Sequence, residues 1–462
     1  MTRAPADVPP AAEAIPDLTP EADTSVVAAS AAPSAVIEVS RPAIRLATPI
    51  LAHTGVDYLS FAPVALMPLL AQHVGFDETG KALLLSLGPV ASGAVQPVVA
   101  YLGDRFDTRV FGPLGIIVAV LAVSSFGFVN SYPMALIAYV LATLGVGAFH
   151  PPAAAAVGSL AGRRRSIMLS IFFLAGMIGG VAGNTFSPMW VAAFASWSGE
   201  VGAAATTVGL RSLALLIPAA LLVAAALAWA TFGRSHHHPE SHARQAAMLP
   251  EVRRKRWRAF YLLYAGNAMR YPVNIALVYL FVEWTTYMAT QRHADATPDQ
   301  LGLIASGLNG PMQAAMQVGM GGGGILMGLL LRPKLEKPAF IALPLLGAIP
   351  VAIFPIVEQL PGAATYVAAF AMTVLMGVGF GAMFPVSLSL GQRLLPHRTA
   401  FASGMLLGGA WTLGVFGAWG ARGLHHWIGL HNAFLVVAAF LAISGVLMLA
   451  LPGRLLRELD SH

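Results

Sequence analysis

Apolar runs long enough to cross a hydrocarbon core of about 30 Å, which takes roughly 20 helical residues, recur twelve times along the chain. They fall near 44–72, 82–102, 110–130, 133–160, 167–193 and 209–232, then near 258–289, 300–331, 338–357, 362–391, 399–424 and 432–452. The pattern predicts an all-α integral membrane protein of twelve transmembrane helices. The longest polar stretch between runs, "GRSHHHPESHARQAAMLPEVRRKRWR" (233–258), divides them into two groups of six. The expected organisation is a six-helix bundle over 43–233, a linker over 234–256, a second bundle over 257–453 and a C-terminal tail over 454–462. Residues 1–42 are rich in Ala, Pro, Ser and Thr and lack a basic start followed by an apolar block. They read as a disordered tail rather than a signal peptide.

Composition agrees with immersion in lipid. Only 10% of the 462 residues are charged and 57% are hydrophobic, whereas a soluble protein carries roughly 25% charged residues. The absence of cysteine excludes disulfides, thiolate metal sites and thiol nucleophiles together. A net charge of +6 would suggest a nucleic-acid partner in a soluble chain. Here the basic residues sit in short loops between apolar runs, so the bilayer, not nucleic acid, is the expected partner. With both termini placed in the cytoplasm, the inside loops hold 19 basic residues and the opposite loops four (Lys81, Arg211, Arg292 and Arg422). By the positive-inside rule this implies a multi-pass membrane protein with both ends cytoplasmic.

The halves repeat. "GAFHP" (Gly147 to Pro151) recurs as "GAMFP" (Gly381 to Pro385), and at the same offset of 234 Arg164 meets Arg398. The fourth and tenth runs are therefore counterparts, and pseudo-symmetric halves place a site between them near the midplane.

Three ionisable groups lie deep in these runs. Asp57 is about 11 residues into the first, roughly 16 Å at 1.5 Å per residue. Arg270 of "NAMRYPVN" is equally deep in the seventh, its counterpart. His150 is near the middle of the fourth. Each such group costs roughly 2.5–3.5 kcal/mol at the bilayer centre and faces a bundle interior or a wet cavity. His53 and Asp57, at i and i+4, share a helix face, which suits a proton-exchanging pair. A buried cluster that only locks helices together is the competing account. For His150, followed by Pro151 and Pro152, a hydrogen bond at a loosened helix competes with proton handling.

Gln96, Asn184, Asn267, Asn274, Asn309, Gln313 and Gln317 are single interhelical hydrogen bonders taken one by one; together they suit a hydrated passage. Met312, Met316 and Met320 stack on one face of the eighth run, a pattern compatible with Cu(I). Without cysteine, adaptable packing is the better account, and neither a metal nor a cofactor is expected. His236 to His238 read as a solvated loop. Gly319 and Gly321 to Gly324 permit close helix approach or flexing.

The six-plus-six layout, with "YLGDRFDTR" (Tyr101 to Arg109) between the second and third runs, resembles the major facilitator superfamily. Asp104, Arg105 and Arg109 match its loop signature, while Ala100 and Asp107 replace the usual glycines. The resemblance implies that Asp104 latches the two lobes on the cytoplasmic side; the equivalent loop "LRPKLEK" lacks the aspartate. Within the superfamily, "HTGVD" (His53 to Asp57), "QPVVAYLGD" (Gln96 to Asp104), "FHP" (Phe149 to Pro151) and "GQRLLPHRTAFASGMLLGGAW" (Gly391 to Trp411) are similar to segments of fosmidomycin-resistance-type efflux proteins, in the same order, over about residues 45–450. Trp411 joins the expected cavity wall on this basis. The resemblance implies proton-driven export of small molecules, phosphonate antibiotics among them in some members.

The expected function is thus secondary active transport by alternating access, a proton-coupled exporter acting as a monomer. Asp57 binds the proton, His53 tunes it, and Arg270 holds an anionic substrate or competes as counter-ion. Proton-driven uptake of a small organic acid is the alternative. A membrane-embedded enzyme is disfavoured by the lack of HExxH and GxSxG motifs, and a non-transporting sensor by the lack of a signalling domain.

Overall fold

The computed structural model describes residues 41–103, 110–161, 165–231, 250–395, 402 and 405–459. The described residues form helices and short connections, with no strand. Span 1 runs Pro42–Ala65 and continues after a 52° bend as Met67–Val74. Pro68 stands in the first turn of the second piece, where its missing N–H costs no intrahelical bond. Span 2 is Glu78–Gly103, span 3 Phe111–Ser124 with a final 3-10 turn, span 4 Tyr132–Leu160, and span 5 Arg165–Trp197. Span 6 starts at Gly202–Arg211 and ends as Leu216–Thr231.

In the second half, span 7 is Pro250–Arg292, span 8 Pro298–Leu330, and span 9 Pro333–Ile353 extended by Phe354–Gln359. Span 10 is Ala363–Gly381 then Phe384–Leu394, span 11 begins as a π turn at Met405–Gly409 and ends as Val415–Ile428, and span 12 is Leu430–Leu447. Among the described residues, eight helical stretches are long and apolar enough to cross a membrane, nine with the bent pair of span 1. The three that fall short are spans 7, 8 and 11. Spans 7 and 8 carry the buried Arg270, Glu283, Asn309, Gln313 and Gln317, and span 11 is interrupted. Burial in protein, not contact with lipid, makes those polar groups tolerable.

Two boundaries differ from expectation. Residues 250–256, expected in the linker, continue span 7 as one helix of 43 residues. The segment expected as a tail forms the short helix Gly453–Leu459, with Leu456 buried in one apolar cluster with residues of spans 7 and 10.

The halves pack alike. Spans 1 and 5 meet so closely that a Cβ on Gly179 or Gly183 would strike the backbone of Thr54 or Tyr58, and spans 7 and 11 meet likewise through Gly417 and Pro272. Gly115 against Gly145 joins spans 3 and 4, and Gly347 against Gly379 joins spans 9 and 10. Small residues at matched positions thus let backbones approach in both bundles, the structural form of the repeat. Between the halves, span 2 packs on span 11, and span 8 on span 5 and on the second piece of span 1.

Polar ties between the halves gather where span 1 ends and span 2 begins. Lys81 Nζ pairs with Glu283 at 2.5 Å and His73 Nδ1 with Asp299 at 3.2 Å. Arg422 donates to Thr79 Oγ1 at 2.6 Å, Asn309 to Val64 O at 2.9 Å, and the Leu69 N–H to Ser306 Oγ at 3.0 Å. All lie at the face where span 1 ends and span 2 begins. Lys81, expected in a loop, is buried with Glu283.

Candidate functional site

At the centre of the first bundle, spans 1, 4 and 5 converge. His53 Nε2 is 3.4 Å from Asp57 Oδ2, and His150 Nε2 is 3.4 Å from Asp57 Oδ1. The two Nε2 atoms are 3.1 Å from each other. His53 Nδ1 lies 2.7 Å from Phe172 O, and His150 Nδ1 lies 2.7 Å from Val146 O. A carbonyl oxygen only accepts, so both Nδ1 atoms carry hydrogen and donate. In neutral imidazole the other nitrogen is then a bare acceptor. Two bare lone pairs at 3.1 Å repel, so a proton between the rings is required for this geometry. At least one Nε2 therefore carries hydrogen, with the Asp57 carboxylate beside it to balance the charge.

Local sequence explains the convergence. The helical rise puts His53 and Asp57 on one face. The ring of Phe172 stacks on His53 with centroids 3.9 Å apart. Span 5 comes this near because residue 176 is glycine: a Cβ there would stand 2.5 Å from His53 Cε1 and 2.6 Å from Asp57 Oδ2. Sequence reading missed both Phe172 and Gly176. The signal available was the interlocked small-xxx-small spacing of Gly176 with Gly180 and Gly179 with Gly183, which marks a helix contact but not its partner.

A cavity of about 280 Å³ lies between the halves. Of the predicted site residues, Asp57, His150, Gln96, Asn184, Asn274, Gln313, Gln317 and Trp411 line it, joined by Tyr139, Tyr271, Met316 and Met320. His53 stands behind Asp57, 2% exposed. Among the described residues, Asn184 Oδ1 and Nδ2 and Gln317 Oε1 are buried without hydrogen-bond partners. Other amides are committed to the scaffold: Gln313 donates to Val278 O and to Asn309 Oδ1, and Asn274 to the Met316 sulfur.

Two predicted residues are elsewhere. Asn267 accepts from Ser387 Oγ at 3.1 Å, within the second bundle. Arg270 is 1% exposed and does not line the cavity. Its Nη2 faces Phe340 O at 3.5 Å and its guanidinium lies 5.7 Å from the Phe340 ring. The ion pairs of Asp57 are with the two histidines, so acid and base at matched depth are not brought together as a pair. Depth follows from counting along a helix, but the direction of a side chain follows from packing. Asp104, Arg105 and Arg109 lie outside the described residues.

Among the described residues, two groups have donors close enough to hold a metal ion: His53, Asp57 and His150, and Glu78, Glu283 and His425. The methionines of span 8 serve packing, with Met312 accepting from Thr373 Oγ1 at 3.8 Å.

Residues 50–418 match the Major Facilitator Superfamily. The chain is 24% identical over 407 residues to the fosmidomycin resistance protein of Escherichia coli (strain K12), covering 87% of this chain and 91% of that one. It is 24% identical over 411 residues to an uncharacterized MFS-type transporter of Bacillus subtilis (strain 168), covering 88% and 92%. Among solved structures, a bacterial homolog of the human lysosomal transporter Spinster, inward-facing and unoccupied, superposes with a TM-score of 0.66 at 18% identity, over 91% of this chain and 99% of that one. A D-xylose–proton symporter superposes at 0.63 and 12% identity, over 88% and 97%.

Proposed function

The chain belongs to the Major Facilitator Superfamily, a family of membrane transporters, and from that premise we propose that it is a secondary active transporter exporting a small molecule in exchange for protons. The observation that carries the coupling is the contact between His53 Nε2 and His150 Nε2 at 3.1 Å, which requires an exchangeable proton beside Asp57. His150 and Asp57 border the cavity, so the proton and the substrate share one compartment. The proton enters from outside when the ties at Lys81, His73 and Arg422 open, and leaves to the cytoplasm when they close.

Orientation follows from the loop charges. The protein sits in a bacterial inner membrane as a monomer with both termini and the 234–256 linker in the cytoplasm. The cluster of interlobe ties at the opposite face then supports a state closed to the outside. Similarity to a fosmidomycin resistance protein makes fosmidomycin one of the substrates to try.

The test is reconstitution into liposomes holding a pH-sensitive dye, with fosmidomycin and a panel of labelled organic acids and amines offered in turn. A translocated substrate is expected to drive protons the other way. Protons moving in the same direction as the substrate would indicate uptake by symport, and substrate flux with no proton movement would overturn the coupling.

A further inference from the structure

The charges around the cavity point to a class of substrate. Resting on the reading of this cavity as the transport site, we propose that it selects small organic cations carrying an apolar or aromatic body. Among the described lining residues none is lysine or arginine, and Asp57 is the sole acid. Arg270, the basic residue at matching depth, is buried against Phe340 and outside the lining. An anionic group in the cavity would meet a carboxylate and lack a cationic side chain to pair with, apart from His150. A buried charge without a partner is strongly disfavoured.

The opposite wall suits the rest of such a molecule. Met316 and Met320 offer adaptable thioethers, and Tyr271 and Trp411, in edge contact at 5.2 Å, offer faces that attract cations. The unpartnered Asn184 amide and Gln317 Oε1, one from each half on residues 0% and 4% exposed, supply hydrogen bonds that a ligand can complete. At about 280 Å³ the space is at the lower edge of drug-sized pockets, so the body is small.

Exchange follows from charge balance. The triad holds one carboxylate and one shared proton. An organic cation seated on Asp57 replaces that proton, which leaves to water, and the total charge is unchanged. The histidines then lose the bridge between them and must part. His150, 24% exposed at its side chain against 3% for His53, is the one with room to turn. His53 and His150 are the ionisable groups acting on Asp57; span 5 contributes Phe172 and Gly176, which do not titrate.

Purified full-length protein in weakly buffered detergent tests this with three related probes, phenethylammonium, phenethyl alcohol and benzylphosphonate, read by thermal shift and by a pH indicator. Phenethylammonium is expected to bind roughly tenfold tighter than benzylphosphonate and to release protons on binding. In Asp57→Asn the cation should lose about tenfold in affinity and release no proton. Unchanged binding of the alcohol shows that the variant is folded. Tighter binding of the phosphonate, or cation binding indifferent to Asp57→Asn, would overturn the proposal. Neither result would touch the transporter reading, whose own test is proton movement with any translocated substrate.

Discussion

His53 Nε2 stands 3.1 Å from His150 Nε2 while each Nδ1 is committed to a backbone carbonyl. Replacing His150 by phenylalanine removes one end of the proton bridge but keeps an aromatic ring beside Phe149. Coupling free energies between sites of about 1–3 kcal/mol set the expected loss of gradient-driven accumulation at roughly 5- to 150-fold. Counterflow exchange, which needs no net proton movement, should persist. Proteoliposome assays run over a pH series check this; an unaltered pH profile would assign His150 to structure alone.

Gly176 is the contact point of span 5 on the triad, and an added methyl there meets both His53 and Asp57. Gly176→Ala is expected to destabilise by about 1–3 kcal/mol, the usual cost of overpacking, and to depress transport. Gly55, four residues before Leu59 on span 1, has nothing within 4 Å of such a methyl. Gly55→Ala should be neutral or stabilising by up to about 1 kcal/mol through helix propensity. Thermal unfolding in detergent compares the two.

What could be read in advance divides along a physical line. Twelve crossings follow from length and apolarity, and the halves from the recurrence of "GAFHP" as "GAMFP". The pairing of His53 with Asp57 needed only the i, i+4 geometry of one helix. The meeting of His53 with His150 depends on how spans 1 and 4 dock. Arg270 illustrates the same limit: its depth was legible, yet span 7 buries residues on nearly every side along Tyr271–Thr285, so no apolar stripe revealed which way the guanidinium points. Lys81 reads as a loop residue in the sequence because its partner Glu283 lies in the other half, about 200 positions away on a helix packed there only in the folded chain.

That pair is the basis of a third expectation. Lys81 and Glu283 are 7% and 6% exposed, and removing one member of a buried pair costs about 3–5 kcal/mol. Lys81→Ala should therefore weaken the seal and shift the protein toward the state open at that face. The chain has no native cysteine, so a single engineered thiol near Tyr279 reports the change as faster labelling from that face. The paired change Lys81→Met with Glu283→Leu should restore slow labelling.

Asp77 caps span 2. Its Oδ1 accepts from the Gly80 N–H at 2.9 Å, and that bond, with help from Thr79, holds its carboxyl below the ordinary 3.8. A folded-state value below the unfolded one stabilises the protein above the ordinary value, and the gain is lost as pH falls through the folded value. Asp77→Ala should cost about 1 kcal/mol near neutral pH and progressively less below about pH 4. Melting curves of the two proteins across that range should converge on acidification.

The most direct measurement on the account as a whole is paired transport by Asp57→Asn in proteoliposomes: accumulation driven by a pH gradient, and counterflow of the same labelled substrate without one. The account predicts that the first is abolished while the second continues once substrate is supplied well above its weakened affinity. Gradient-driven accumulation at the wild-type level in this variant would contradict it.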